Sequence, residues 1–497
     1  MTNPTQPGQT RAAEESALGW PLLVLCALQL MVVLDGTVVN LALARIQQDL
    51  QLTDVLRSWV ITSYALAYGG LLLLGGRIGD VFGRRRVFLA GVGLFTVASL
   101  ICGVSVNPTM LVAARIVQGL GAAIASPAAM ALIVVTFAPG KPRNQAFSVF
   151  AMMTGLGSVA GLVIGGALTA ASWRWIFLIN VPIGVLILIA GVLTLTVVPE
   201  TEGVHLDVRG AVLATAASTL LVFGLSAGGG GVTPALIVTV VLGLILLVAF
   251  FLSQRSATDP VLPLGLFTNR SRAAVFVCLV LVGGLMMAMT VQVALFVQEV
   301  LGFSPLQAGV AFIPFAIALG AGSAVAGKLA ERLAPRWIVA LGCVILTAGF
   351  VYSATLTPAA TYWPSLLVPI LAIGGGIGIV LIPLTLSVVA GVRPDEVGPL
   401  TATSLVSQTL GGPLGLAAVT AVAESISRAR LGDGVFDGLD HANLTVVEQA
   451  GLGAGYTQSL LLCAGLAVAV LVVALVWVSF TPEDIAEGKR AEQEAGL

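Results

Sequence analysis

The chain has 497 residues, 58% of them hydrophobic and 9% charged, where a soluble chain carries about 25% charged residues; most of its surface therefore faces lipid. Its 23 basic and 24 acidic side chains leave a net charge of −1, which removes the electrostatic basis for a nucleic-acid partner. The five cysteines (Cys26, Cys102, Cys278, Cys343 and Cys463) lie in apolar stretches with no CxxC pair, so they read as core thiols and not as a disulfide or metal framework.

A membrane span needs roughly 20 mostly apolar residues. Fourteen stretches qualify. The first six cover 20–43, 57–75, 87–106, 110–136, 145–170 and 175–198, and two more cover 210–227 and 233–253. The last six cover 272–297, 305–327, 337–356, 364–390, 397–425 and 455–479. The first is long enough to span and has a polar flank, so it reads as a helix and not as a cleaved signal. Lys and Arg in the loops set the orientation. With the N-terminus in the cytoplasm, 17 basic residues fall inside, five (Arg45, Arg57, Arg174, Arg428 and Arg430) fall outside, and Arg115 falls within a span. The chain is thus predicted to be an all-α integral membrane protein of 14 transmembrane helices with both termini cytoplasmic. Residues 426–454 form the longest outer loop, with Asp433, Asp437, Asp440 and Glu448, and are expected to fold against the outer face.

Gly76-Arg77-Ile78-Gly79-Asp80 after helix 2 repeats in outline as Gly327-Lys328-Leu329-Ala330-Glu331 after helix 10, each followed by basic residues. That register divides the chain 6 + 2 + 6. Residues 1–198 form the N-terminal half (helices 1–6) and 199–265 hold two inserted helices (7–8). Residues 266–480 form the C-terminal half (helices 9–14), and 481–497 a cytoplasmic tail. Two six-helix halves in parallel repeat suit an alternating-access transporter.

Chemistry-bearing residues stand out against this apolar background. Asp35 lies in Leu34-Asp35-Gly36-Thr37-Val38-Val39-Asn40; an acid near mid-membrane costs about 2.5–3.5 kcal/mol on insertion scales and is functional by default. It can carry a proton, or it can be a structural acid satisfied by neighbours. Arg115, in Ala114-Arg115-Ile116-Val117-Gln118-Gly119, can either act on that acid or snorkel to the surface. Gly157, Gly161 and Gly165 recur at i+4 and, with Gly166, make a smooth helix face, for close helix approach or for packing alone. Tyr64, Tyr68, Phe150, Met153, Met286, Met289, Gln292, Phe296, Phe312 and Phe315 are candidates for an adaptable substrate wall, with core packing the alternative at each. Trp173 and Trp175 suit an interfacial belt.

Asp35 is the only acid placed deep in a helix, with Glu299 and Glu424 near outer helix ends. One proton exchanged for one monovalent cation leaves the site neutral, whereas a dication leaves a charge unbalanced; monovalent cations or neutral compounds are expected over dications. His205 and His441 lie in loops, so no His relay crosses the membrane. No Walker A, Ser-His-Asp or HExxH pattern occurs, so the expectation is no enzyme, no metal, and no cofactor beyond the proton gradient.

These motifs resemble the major facilitator superfamily, and more closely its fourteen-helix drug:proton antiporters of the EmrB/QacA type. Gly76 to Arg86 matches the superfamily loop G-x-L-a-D-r-x-G-r-[rk]. The Asp35 segment resembles LDxTVVNVALP, with Ala44 at the final proline. The Arg115 segment resembles LxxxRxxqGxgaA. The glycine face resembles GxxxGPxxGG, with Leu162 at the proline, and Ser172 to Gly184 is a further marker. The resemblance implies the major facilitator fold and proton coupling through Asp35 and Arg115. It also implies that the helix 5 glycines seal the cavity, and that Gly76, Asp80, Gly83, Arg84 and Arg85 form a latch. In that latch Asp80 meets the start of helix 13 near Val397 and Gly398, and the arginines pair with acids across the interface. The function it implies is export of amphipathic compounds across an inner membrane. Its partners would be a lipophilic small molecule, protons and membrane lipid, with a periplasmic adaptor left open. The alternatives are a dedicated exporter of an endogenous metabolite, proton-symport uptake, and a non-transporting sensor or assembly partner.

Overall fold

The computed structural model describes residues 19–137, 141–196, 207–226, 233–257, 260, 262, 264–392, 394–441 and 444–495, and no strand occurs among them. The first six helices are α1 (Trp20–Leu50), α2 (Asp54–Phe82), α3 (Arg84–Gly103), α4 (Pro108–Thr136), α5 (Lys141–Ala171) and α6 (Trp175–Thr194, interrupted at Ile179). A hairpin of α7 (Val208–Ser226) and α8 (Pro234–Gln254) follows. Then come α9 (Arg270–Val300), α10 (Pro305–Leu329), α11 (Pro335–Ser353), α12 (Tyr362–Val388), α13 (Pro394–Leu431), α14 (Val446–Trp477) and the tail helix α15 (Pro482–Ala495). Among the described residues, 12 helices are long and apolar enough to cross a membrane; α2 and α5 stand beside them with 29 and 31 residues.

Local chemistry sets the helix starts. Asn107 caps α4, its side chain accepting from the Met110 amide at 2.8 Å with Pro108 at the first helical position. Ser304 and Gln307 close a capping box on α10, and Thr445 and Glu448 do the same on α14, each satisfying two otherwise orphaned donors. Between α2 and α3 the chain turns at Gly83, where φ is +87°, a conformation costly for any residue with a Cβ.

Two extents differ from the sequence expectation. α13 runs on to Leu431 and α14 begins at Val446, so the predicted loop 426–454 contracts to residues 432–445. The Thr445 capping box starts α14 within polar sequence. Arg428, near the end of α13, reaches Asp437 at 2.9 Å and stacks over Phe436, which draws the connection back onto the bundle.

The two six-helix sets pack alike. In the first, α1 packs against α5 and α6, and α4 packs between α2 and α3. In the second, α9 packs against α13 and α14, and α12 packs between α10 and α11. α7 lies against both α2 and α13, where Leu66, Val222 and Ala417 form a small shared core. The sets also meet where α5 ends and α10 begins, and where α1 lies beside α9. The end of the molecule carrying the α1–α2 and α13–α14 connections is therefore closed by contacts between them.

Candidate functional site

Asp35 lies on α1, fully buried, and four helices supply its surroundings. From α4, Arg115 Nη1 donates to Asp35 Oδ2 at 2.6 Å and Gln118 Nε2 donates to Oδ1 at 2.8 Å. From α6, Asn180 Nδ2 donates to the same Oδ1 at 2.9 Å. From α3, Ser99 Oγ accepts from Gln118 Nε2 at 2.8 Å. From α2, the Val60 carbonyl accepts from Arg115 Nε at 2.9 Å, and the Tyr64 ring lies 4.3 Å beneath the guanidinium. Arg115 is only 1% exposed, so it does not snorkel. An isolated buried ion would be driven to neutrality; here the carboxylate accepts three hydrogen bonds and the guanidinium has partners besides the acid.

That redundancy bears on proton exchange. If Asp35 took up a proton, Arg115 would keep Gln118 Oε1 at 2.7 Å, the Val60 carbonyl and the Tyr64 ring. These partners would keep the guanidinium hydrogen-bonded, though none of them carries a compensating charge. Gln118 and Asn180 were missed from sequence as functional groups. Gln118 sits at i+3 from Arg115, on the same helix face. Asn180, the one amide in the marker segment Ser172 to Gly184, turns that segment from a marker into part of the site. Trp173 also departs from expectation. It is buried, with Nε1 donating to Asp49 at 2.8 Å, while Trp175 is exposed as an interfacial residue would be.

A second buried carboxylate lies between the two helix sets. Glu299, in a π-helical turn at the end of α9, meets Arg57 of α2 at 3.3 Å. It accepts from the Tyr456 hydroxyl of α14 and lies 3.4 Å from His441 Nδ1. Arg57 also donates to Gln47 of α1 at 2.6 Å. One expectation is corrected here. Arg57 is 4% exposed, so it is not a loop charge in water, while Glu299, at the helix end where the sequence put it, is 7% exposed and is a second buried acid. Glu424 is buried as well. Burial by neighbouring helices at a helix end is invisible to hydropathy.

The glycine face of α5 lies along α1. A Cβ on Gly157 would meet Val33, one on Gly161 would run into the Thr37 hydroxyl, and one on Gly165 would stand 2.9 Å from Val38 Cα. Gly166 points the other way, where a Cβ would crowd the Pro305 carbonyl and Leu306 of α10. One face thus packs a turn from Asp35 and its neighbour packs on the second helix set. The Leu162 side chain lies outside the described residues.

In the α2–α3 turn, Gly76 faces Pro127 of α4. Arg84 reaches the Ala131 carbonyl at 3.5 Å, and Arg85 donates to the Val192 carbonyl at 2.6 Å. Both contacts fall within the first helix set, and the Val192 carbonyl lies in the last turn of α6, an end that attracts cations. In this state the Arg85 contact that the structure shows is with the Val192 carbonyl and not with an acid across the interface. Val397 is buried; the Asp80 side chain lies outside the described residues.

The substrate-wall candidates divide. Tyr64 and Tyr68 stack at 5.9 Å, and Phe150 and Met153 pack into the same core, with Tyr64 committed to Arg115. Phe312 and Phe315 meet edge-on inside the second helix set, where Met286 also packs. Met289, Gln292 and Phe296 line a small cavity of about 20 Å³.

Residues 25–416 match the family described as the Major Facilitator Superfamily. The chain is 44% identical over 477 residues to the uncharacterized MFS-type transporter EfpA of Mycobacterium tuberculosis, covering 95% of this chain and 88% of that protein. It is 36% identical over 464 residues to the puromycin resistance protein pur8 of Streptomyces alboniger, covering 92% and 90%. Among solved structures, a bacterial homologue of the human lysosomal transporter Spinster, inward-facing and unoccupied, aligns with a TM-score of 0.66 at 17% identity, covering 94% of this chain and 98% of that one.

Proposed function

The chain belongs to the Major Facilitator Superfamily and is a multi-pass membrane protein, and from that premise we propose that it is a proton-driven exporter of amphipathic compounds from the cytoplasm or inner leaflet. The observation that carries this reading is the closed Asp35 cluster: a fully buried acid, three donors on it, and an arginine with alternative partners. A group so placed suits reversible protonation without collapse of the bundle. The name of pur8 as a resistance protein agrees with outward transport.

In this reading α1–α14 all span an inner membrane, both termini are cytoplasmic, and two six-helix halves flank the α7–α8 insertion. The contacts of Arg57 with Glu299, and of Gly166 with α10, shut the outer side. Substrate enters from the inner side, and the outer contacts part as it leaves. A proton from outside then neutralises Asp35, and it is released inside when Arg115 and Gln118 close on the carboxylate again. Asp80 and the α2–α3 turn latch the opposite state.

The test is uptake into proteoliposomes under an imposed pH gradient, with ethidium and puromycin as probes. Gradient-dependent accumulation of either supports export. Accumulation of puromycin alone favours a dedicated exporter. No gradient-dependent movement of either by folded protein overturns the proposal.

A further inference from the structure

The buried acid Glu299 is shared unequally between the two helix sets. His441, on the α13–α14 connection, and Tyr456, on α14, belong with it to the second set, and His441 Nδ1 lies 3.4 Å from Glu299 Oε2. Arg57 of α2, 3.3 Å from Oε1, comes from the first set. Glu424 of α13 is buried and lines the same small cavity as Arg57 and Tyr456. The other charges nearby are paired or in water. Arg428 holds Asp433 and Asp437, and Asp440 is exposed. On α1, the amide Gln47 accepts from Arg57, Gln48 donates to the His441 carbonyl, and Asp49 is held by Arg174. The His441 side chain is 11% exposed against 2% for that of Glu299, so the ring is the member of the pair that the outer solution reaches.

When the outer end opens, Arg57 leaves with the first set, while Glu299, Glu424 and His441 stay together in the second. A buried carboxylate that loses its cation is costly, and an acid close by favours the protonated form of an imidazole. While Arg57 is in place, its charge opposes a second cation on the same acid. We propose that His441 is a second proton site, apart from Asp35 and reached from outside, whose proton takes the place of Arg57 on Glu299 and so favours the open outer end. The open form holds this proton and the closed form does not, so acid opens the outer end and alkali closes it. The proton stays at the gate and is not the one exchanged at Asp35. The site rests on the export reading and deepens it, by naming what regulates outward opening.

The test is the distance between spin labels at Gln51→Cys and Val447→Cys, exposed positions on the two sets, in the purified full chain without substrate or gradient. With His441 intact, the open-to-closed ratio is expected to rise at least about fivefold as pH falls from about 8 to about 5, the range in which histidine titrates. His441→Gln, which cannot take the proton, is expected to hold the ratio within about twofold over that range. His441→Lys, a cation throughout, is expected to keep the ratio high at both ends of it. Glu299→Gln, which removes the acid the proton serves, is expected to flatten the response and stands in should His441→Gln not fold. A flat or falling ratio with His441 intact, or a full response in folded His441→Gln, overturns the proposal; the latter would place the proton on a carboxylate. The distance is read without transport, so the two readings fail separately. A pH-dependent distance without gradient-driven flux counts against export alone, and gradient-driven flux with a flat distance counts against this site alone.

Discussion

Two buried arginine–carboxylate pairs, of similar chemistry, join different things. Asp35 and Arg115 are 80 residues apart and belong to one helix set, their contact reinforced by Gln118 and Asn180. Arg57 and Glu299 are 242 residues apart and tie one set to the other, with Tyr456 and His441 closing around the acid. A pair inside a rigid bundle can change its charge while the helices stay put. A pair across a moving interface must be made and broken as the interface opens. In the proposed cycle the first would serve coupling and the second gating.

Removing the cations separates the two most sharply. Arg115→Ala leaves a buried carboxylate uncompensated and should lose about 3–5 kcal/mol of stability, seen as a large fall in melting temperature in detergent. Arg57→Gln should leave the melting temperature nearly unchanged, because the interface can part and hydrate Glu299. Equal losses in both would break the distinction.

Glu299→Gln should shift the balance between closed and open outer ends by about 1.5–3 kcal/mol, the worth of a hydrogen bond to a charged group. Spin labels at Gln51→Cys and Val447→Cys, on exposed positions of the two sets, would report this as a longer distance population; the native cysteines are all buried. Gly161→Ala should cost about 1–3 kcal/mol through overpacking against Thr37, and should impair transport more than membrane insertion. The smallest effect belongs to Arg174→Ala. Its pair with Asp49 is 2.6 Å long but half-exposed, and such surface pairs contribute about 0–1 kcal/mol.

The two pairs were also unequally legible. Asp35 and Arg115 interrupt long apolar runs, so hydropathy alone makes them conspicuous, and the resemblance of their segments adds a role. Asn180 carried a weaker signal, an amide in an otherwise apolar helix start, and only the fold shows that it reaches α1. Glu299 and Arg57 sit within a few residues of helix ends, where a charge needs no explanation. Their burial comes from the meeting of α2, α9 and α14, a tertiary fact that no local pattern encodes. The repeated loop after helices 2 and 10 stands beside the matching packing of the two sets. The extents of α13 and α14 did not follow from hydropathy, since both run into polar sequence held by Arg428 and the Thr445 capping box.

The most direct test of the central claim follows proton and substrate together. In proteoliposomes, internal pH and ethidium would be recorded at once for wild type, Asp35→Asn and Glu299→Gln. The account predicts opposed proton and dye fluxes in wild type, no coupled flux in Asp35→Asn, and slower but still coupled flux in Glu299→Gln. Coupled flux that survives in Asp35→Asn and disappears in Glu299→Gln would contradict it, and would move the proton site to the interface between the two helix sets.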